Sequence, residues 1–174
     1  MPVETVIEAE VWAPHEISIW ADRAFALVCE ELELDADIYS AVLLACDDAR
    51  IQQLNADFRG KPQPTNVLSW PSEDRAADVP GAPPRMPDPH APMGSEWGDI
   101  ALAYETCARE ARVQSKPFEA RVLHLLVHGF LHLLGFDHEN DADAQRMEAL
   151  EVKILATAGV PNPYEEDWQG NLLP

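Results

Sequence analysis

The chain has 174 residues, with 12 lysines and arginines against 31 aspartates and glutamates, and its formal net charge is −19. This length predicts one domain that buries a substantial core. A content of 47% hydrophobic and 25% charged residues is typical of a globular protein and excludes a disordered or fibrous one. No internal repeat is evident.

Several features indicate the compartment. No apolar run reaches the roughly 20 residues of a membrane-spanning helix, which predicts no membrane association. The first five residues lack the basic and then apolar stretch of a secretory signal. Three widely spaced cysteines exclude a disulfide framework and favour a reducing environment. We therefore expect a cytoplasmic protein.

The negative charge limits how the chain can bind a polyanion. Proteins that hold nucleic acid by neutralising phosphates usually present a basic face, which a net charge of −19 does not favour. Such a partner would have to be held locally, by a metal ion and a few arginines, against an unfavourable overall field.

The apolar pattern predicts alternating strands and helices in the first 70 residues. The predicted elements are a strand at 3–12, a helix at 16–32, a strand at 38–46, a helix at 49–57 and a strand at 66–70. Asp47 or Asp48 is expected to cap the second helix, because a carboxylate accepts hydrogen bonds from the first backbone amides.

The second half begins with a proline-rich segment at 71–97, which we interpret as a surface insertion. A strand at 98–104 follows, then helices at 105–114, 117–134 and 140–158 and an irregular tail at 159–174. Together these elements predict an α+β fold in a single domain spanning 1–174. About four strands would form a mixed sheet packed with about five helices.

Four of the six histidines lie within a segment of 15 residues. His128 and His132 are four positions apart, so on a helix both imidazoles project from one face. Gly135 suits the end of that helix, and the reversal that follows can bring His138 back over the same face. Three neutral imidazoles with a fourth position left for water are typical of a catalytic zinc site.

The alternative interpretation is a buried helix whose histidines bond to backbone groups. Burial favours the metal site, because buried imidazoles need partners and their neutral form is favoured. His124 shares the face of His128 one turn earlier, and we expect it to orient a ligand or to be a core histidine. The spacing also resembles the long zinc-protease signature, but Gly129 stands where that signature has its general-base glutamate.

Three blocks resemble one known family. Residues 128–138 (HGFLHLLGFDH) resemble the signature of the YbeY family, bacterial metal-dependent endoribonucleases of ribosomal RNA maturation. Residues 58–71 (FRGKPQPTNVLSWP) and 98–100 (GDI) resemble two further blocks of that family. The chain departs from the family pattern at Phe136 and Trp70, where tyrosine and phenylalanine are expected, and in the insertion.

The resemblance implies one zinc ion per chain held by His128, His132 and His138, with Arg59 as a catalytic residue. A guanidinium can hold two phosphate oxygens at once, although a surface arginine that closes a turn is an alternative. Lys61 is a weaker candidate for RNA contact.

Asp137 and Asp99 are candidates for orienting an imidazole, and a structural role in the turn is an equally good interpretation of Asp137.

The function that follows is a zinc-dependent, single-strand-specific endoribonuclease. The resemblance implies a role in maturation of the 3′ end of 16S rRNA and in ribosome quality control. Its implied partners are precursor rRNA, small-subunit ribosomal proteins and a ribosome-associated GTPase. The alternatives are a metallopeptidase-like hydrolase and a non-enzymatic ribosome-associated factor with a structural metal.

Overall fold

The structure, a computed structural model, describes residues 2–165, which form a four-stranded sheet and five α-helices. In chain order the elements are β1 (Val3–Ile7), a 3-10 turn (Glu10–Trp12), α1 (Ile17–Glu31), β2 (Ser40–Cys46), α2 (Asp48–Arg59), β3 (Val67–Pro71), β4 (Glu96–Ala103), α3 (Tyr104–Val113), α4 (Phe118–Leu133) and α5 (Asp141–Thr157). The predicted α+β fold is confirmed. Within this range no helix combines the length and apolarity needed to cross a membrane.

The sheet is mixed, with the strand order β1-β2-β4-β3. The first three of these strands are parallel, and β3 runs antiparallel to β4 at one edge. In the register, Leu43 pairs with Ile100 across β2 and β4, and Ile100 pairs with Ser69 across β4 and β3. Paired residues point to the same face of a sheet, so these three side chains share one face.

That face carries the main core, in which α4 is the central helix. Most residues of α4 are buried, including Phe130 and Leu131, which are fully inaccessible to solvent. Gly129 allows a close approach to the sheet, because a Cβ atom there would lie 3.1 Å from the side chain of Ile100. The smaller helix α2 covers part of the opposite face, where Ile51 packs in a cluster with Leu68.

The start of the chain differs from the prediction. The strand predicted over 3–12 ends at Ile7, and a 3-10 turn follows. Trp12 is fully buried there, and its indole N–H donates to the carbonyl of Cys46 at 2.8 Å. The 3-10 turn places the indole ring in the core and its N–H next to a carbonyl acceptor, as a buried tryptophan requires.

Two predicted helix signals are observed. Asp47 caps α2, since its carboxylate accepts a hydrogen bond from the backbone N–H of Arg50 at 2.8 Å. The helix continues to Arg59 and stops at Gly60, whose φ of +67° is readily adopted by glycine. This end places Arg59 in the last turn of α2.

The segment predicted as the 71–97 insertion reaches into the core at several points. Its last two residues belong to β4, and Trp97 is fully buried with its ring stacked on Phe25 at 4.1 Å between centroids. Arg75 is also buried, at 3% exposure. Residues 159–165 contain no helix or strand, and the remainder of the predicted tail, 166–174, lies outside the described residues.

Candidate metal centre

Three histidines gather where α4 ends. His128 and His132 lie one turn apart on the helix, and His138 follows the bend, so that one nitrogen from each ring lies within 4.8 Å of the others. The bend requires a glycine, because Gly135 has a φ of +102° and a Cβ atom there would lie 2.7 Å from the backbone carbonyl of Arg75. The structure thus brings together the three predicted ligands.

Hydrogen bonds determine which nitrogen of two rings is protonated. Nδ1 of His128 lies 2.6 Å from Oε1 of Glu151, and Nδ1 of His132 lies 3.0 Å from the carbonyl oxygen of Phe136. Both partners accept hydrogen bonds, so in each neutral imidazole Nδ1 carries the proton and Nε2 carries a lone pair.

The two Nε2 atoms face each other at 3.1 Å. Burial and the nearby rings of His128 and His138 lower the pKa of His132 to about 4, so this ring is neutral near pH 7. Two lone pairs this close repel unless a proton or a metal cation lies between them. Nitrogen ligands at about 2.0–2.1 Å from a tetrahedral zinc are about 3.3 Å apart. The donor set therefore fits a divalent metal ion.

Glu151 is a residue of this centre that the sequence analysis missed. It lies on α5 with no solvent exposure, and its second oxygen accepts a hydrogen bond from the hydroxyl of Tyr164. Burial alone would raise the pKa of Glu151, but the imidazoles of His124 and His128 that face it lower the pKa to about 2. A signal was present, since Glu151 continues the apolar stripe that Met147 and Ile154 form on α5.

His124 stands beside the three histidines and not among them. Its Nδ1 accepts a hydrogen bond from the guanidinium of Arg121 at 3.1 Å, so its protonated Nε2 points to Oε1 of Glu151 at 3.5 Å. Arg121 in turn pairs with Glu110 at 2.7 Å. A series of buried and partly buried polar contacts therefore leads to the carboxylate that His128 contacts.

An open cavity of about 560 Å³ adjoins the three nitrogens. Arg59 lines this cavity together with all three histidines, although it comes from a different part of the chain. Glu73, Asp74 and Asp137 add carboxylates to the walls. The cavity thus combines a candidate metal centre, an arginine for an anionic group and several acidic side chains.

The other predicted site residues occupy different positions. Asp137 lines the cavity, but its carboxylate accepts from the backbone N–H of His138 at 2.7 Å, which stabilises the bend. Asp99 does not reach the histidines, because Ile100 beside it faces α4 and successive strand residues point to opposite faces. Lys61 is exposed and is not among the residues lining the cavity. The expectation for Asp99 is therefore corrected.

Arg75 of the insertion also supports the centre, and the sequence analysis did not single it out. Its guanidinium donates to the carbonyl of Leu133 at 3.0 Å, at the end of α4. Further contacts reach the carbonyls of Glu96 and Trp97 and the hydroxyl of Ser72. A buried cation at a helix C-terminus satisfies a carbonyl that has no partner within the helix.

A side chain at the position of the missing protease glutamate would be crowded by the sheet. A Cβ atom on Gly129 would already lie 3.1 Å from Ile100 and 3.5 Å from Val67. A side chain there would require the Ile100 side chain to shift, and glycine carries no carboxylate, so the general base of the zinc-protease signature has no counterpart at this position.

Comparisons with known proteins identify the family of the chain. The family model described as Endoribonuclease YbeY matches residues 5–159. A protein of Dinoroseobacter shibae named Endoribonuclease YbeY is 56% identical over 163 residues, covering 94% of this chain and 90% of its own length. One of the same name from a Jannaschia species is 53% identical over 164 residues, covering 94% of this chain and all of its own length.

A solved structure supports the fold. The solution structure of TM1509 from Thermotoga maritima matches with a TM-score of 0.54 at 19% identity, covering 89% of this chain and 90% of that one. Because the family model spans most of the chain and the relatives exceed 50% identity, the chain belongs to the Endoribonuclease YbeY family.

Proposed function

We propose that this endoribonuclease is zinc-dependent, cleaves single-stranded RNA and acts in maturation of the 3′ end of 16S rRNA and in ribosome quality control. The observation that supports the metal dependence is that the ring nitrogens of three histidines lie within 4.8 Å of one another, with the Nε2 atoms of His128 and His132 3.1 Å apart, beside a cavity that Arg59 also lines. The proposed setting is the cytoplasm, with precursor rRNA as substrate and small-subunit ribosomal proteins or a ribosome-associated GTPase as partners.

In this proposal His128, His132 and His138 hold the zinc ion, which would polarise the scissile phosphate and lower the pKa of a water molecule. Glu151 and the carbonyl of Phe136 keep the first two rings in the tautomer that presents Nε2.

Arg59 has the second role. Cleavage of a phosphodiester builds negative charge on the non-bridging oxygens, and a guanidinium can donate to two of them at once. Arg59 ends α2 next to Gly60 and is exposed to the cavity, so its side chain can follow the phosphate without being desolvated beforehand.

The first test compares metal content and RNA cleavage of the parent with those of His128→Ala and Arg59→Glu. We expect His128→Ala to lose the metal and more than about 100-fold of the cleavage rate, since even residues that orient ligands contribute about 10- to 100-fold. Arg59→Glu should retain the metal and lose cleavage. His90→Ala, at an exposed histidine of the insertion, is the matched control. Cleavage by His128→Ala at the parent rate would reveal a contaminating nuclease and refute the proposal.

The second test separates an enzyme from a factor with a structural metal. Chelation should abolish turnover, and restored zinc should recover it. A large loss of thermal stability on chelation, in a protein without turnover at any metal concentration, would favour the structural role. The product ends identify the nucleophile, because a 2′,3′-cyclic phosphate indicates the 2′-hydroxyl of the RNA and a 5′-phosphate indicates water.

A further inference from the structure

The strand β3 has one edge without a strand partner in residues 2–165. It pairs with β4 alone, at the end of the sheet order β1-β2-β4-β3. The carbonyl of Asn66 accepts from the N–H of Ala103 at 3.0 Å, and the N–H of Ser72 donates to the carbonyl of Trp97 at 3.0 Å. The backbone groups at the even-numbered positions 66–72 therefore turn toward β4.

The odd-numbered residues turn their backbone groups the other way, because the direction alternates along an antiparallel strand. Val67 shows this, since its N–H donates to the side chain of Asn66 at 2.7 Å and not to β4. The N–H and C=O of Ser69 point outward in the same way. Within residues 2–165 neither group has a hydrogen-bond partner. Pro71 adds a third outward carbonyl and has no N–H to offer.

This outer edge opens onto the cavity of the metal centre. Val67, Ser69 and Pro71 all line the cavity that contains Arg59 and the three histidines. The Ser69 side chain lies on the same face as its partner Ile100, which packs against α4. A molecule bound in this cavity can therefore contact the free edge.

The charges near the edge favour an uncharged mode of binding. The chain carries a net charge of −19, and Glu73, Asp74 and Asp137 line the cavity. Arg75 is occupied by backbone carbonyls, which leaves Arg59 as the cavity arginine available for phosphate. Within the cavity, binding of RNA beyond the scissile phosphate therefore relies on neutral hydrogen bonds to sugars and bases.

An unpaired base offers the complementary groups. Its Watson–Crick edge carries donors and acceptors side by side, and these are free in single-stranded RNA and occupied in a duplex. A backbone N–H and C=O on the same residue present one donor and one acceptor in a fixed orientation, which is the arrangement that pairs with another strand.

We propose that the outer edge of β3, centred on the backbone N–H and C=O of Ser69, hydrogen-bonds to unpaired bases next to the scissile phosphate. This inference rests on the proposed function and adds to it the element that selects single-stranded over double-stranded RNA. Proteins generally protect edge strands from pairing with other chains. The β3 edge is short and ends in Pro71, so it can make only a few such contacts.

The test removes one backbone donor. Ser69→Pro deletes the outward N–H, while Ser69→Ala deletes only the hydroxyl and is the matched control. Proline is compatible with this position, because Pro71 occupies the equivalent outward position two residues later in the same strand. Circular dichroism and thermal melting establish that both variants fold.

We expect Ser69→Pro to raise KM for a single-stranded oligonucleotide by about 3- to 10-fold, the range for one hydrogen bond, with a smaller change in kcat. Ser69→Ala keeps the backbone N–H, so its effect on KM should be clearly smaller than that of Ser69→Pro. With the metal removed by chelator, fluorescence anisotropy of the same oligonucleotide should show the same loss of affinity. The slope of log affinity against log salt should be unchanged in Ser69→Pro and about 0.7 smaller in Arg59→Gln, which loses one phosphate contact.

A second measurement needs no variant. The parent should bind an oligonucleotide with abasic sites beside the scissile phosphate about tenfold more weakly than the intact one, at the same charge. Equal binding of the two oligonucleotides would overturn the inference, as would an equal loss in Ser69→Ala and Ser69→Pro. Competition by an extended uncharged peptide and not by unpaired RNA would assign the edge to peptides instead. A parent that neither binds nor cleaves RNA would refute the proposed function itself.

Discussion

Glu151 accepts a hydrogen bond from His128 across two helices, with 2.6 Å between Oε1 and Nδ1. The two residues are 23 positions apart, and the carboxylate is fully buried. A buried charge is costly unless it is paired, and Glu151 is paired with His128, Tyr164 and the facing ring of His124. The contact joins α5 to α4 and aims Nε2 of His128 at the other imidazoles.

The first prediction concerns metal affinity. Glu151→Gln keeps an oxygen that can accept from His128 but removes the negative charge that strengthens the hydrogen bond and the basicity of the ring. We expect zinc to bind about 10- to 100-fold more weakly, measured by competition with a chromophoric chelator. Glu148→Gln, on an exposed position of the same helix, should bind like the parent.

Cobalt substitution separates orientation from general loss of structure. The visible spectrum of bound Co²⁺ should shift in Glu151→Gln and remain unchanged in Glu148→Gln, while both proteins keep their far-ultraviolet circular dichroism. An unchanged spectrum and affinity in Glu151→Gln would mean that Glu151 serves only to bind α5 to the core.

The second prediction concerns the bend that brings back His138. Gly135→Ala introduces a Cβ 2.7 Å from the backbone of Arg75 at a φ of +102°, so both sterics and backbone conformation oppose it. We expect a loss of about 2 kcal/mol or more in the free energy of unfolding, measured by urea denaturation, together with weaker metal binding.

Gly60→Ala provides the comparison. Gly60 also has a positive φ, +67°, but a Cβ atom added there would meet nothing within 4 Å. Only the conformational cost of about 1 kcal/mol should apply, with metal binding unchanged. Equal effects at the two glycines would show that the contact with Arg75 does not matter.

The residues of the centre that the sequence predicted lie close to one another along the chain, whereas those that it missed lie far from the residues they contact. His128, His132 and His138 come from one helix and the bend after it, so local periodicity is sufficient to group them. Glu151 and Arg75 reach this region from segments 23 and 58 positions away from the residues they contact, and their partners depend on tertiary packing.

The error for Asp99 has a different cause. Its neighbour Ile100 faces α4, and the two-residue period of a strand then turns Asp99 to the opposite face. The pattern predicted the strand without predicting which face would carry α4. The predicted end of the first strand was wrong for a similar reason, because the buried indole of Trp12 decides where that strand ends.

The third prediction concerns the insertion. Arg75→Met keeps much of the apolar bulk but leaves the carbonyl of Leu133 without its donor. Losing a donor to a buried carbonyl costs about 1–3 kcal/mol, and we expect that decrease in the free energy of unfolding. Arg85→Met, at an exposed arginine of the same insertion, should change it by less than about 1 kcal/mol. A smaller effect at Arg75 than at Arg85 would contradict a supporting role of the insertion.

The fourth prediction concerns the pH dependence of stability in the metal-free protein. The folded pKa of His132 is lowered from 6.5 to about 4, and that of Glu151 from 4.5 to about 2. In both cases the unfolded chain binds more protons than the folded one between the two values, so stability rises with pH there. Acidification from pH 7 should first lower the free energy of unfolding through His132, between about 6.5 and 4. Glu151 should lower it further below about 4.5.

Urea denaturation in the presence of chelator, at half-unit pH steps, measures this curve. Glu151→Gln should keep the upper part of the curve and flatten the lower part. A parent curve that is flat from pH 7 to 4 would show that the neutral state assigned to His132 is wrong.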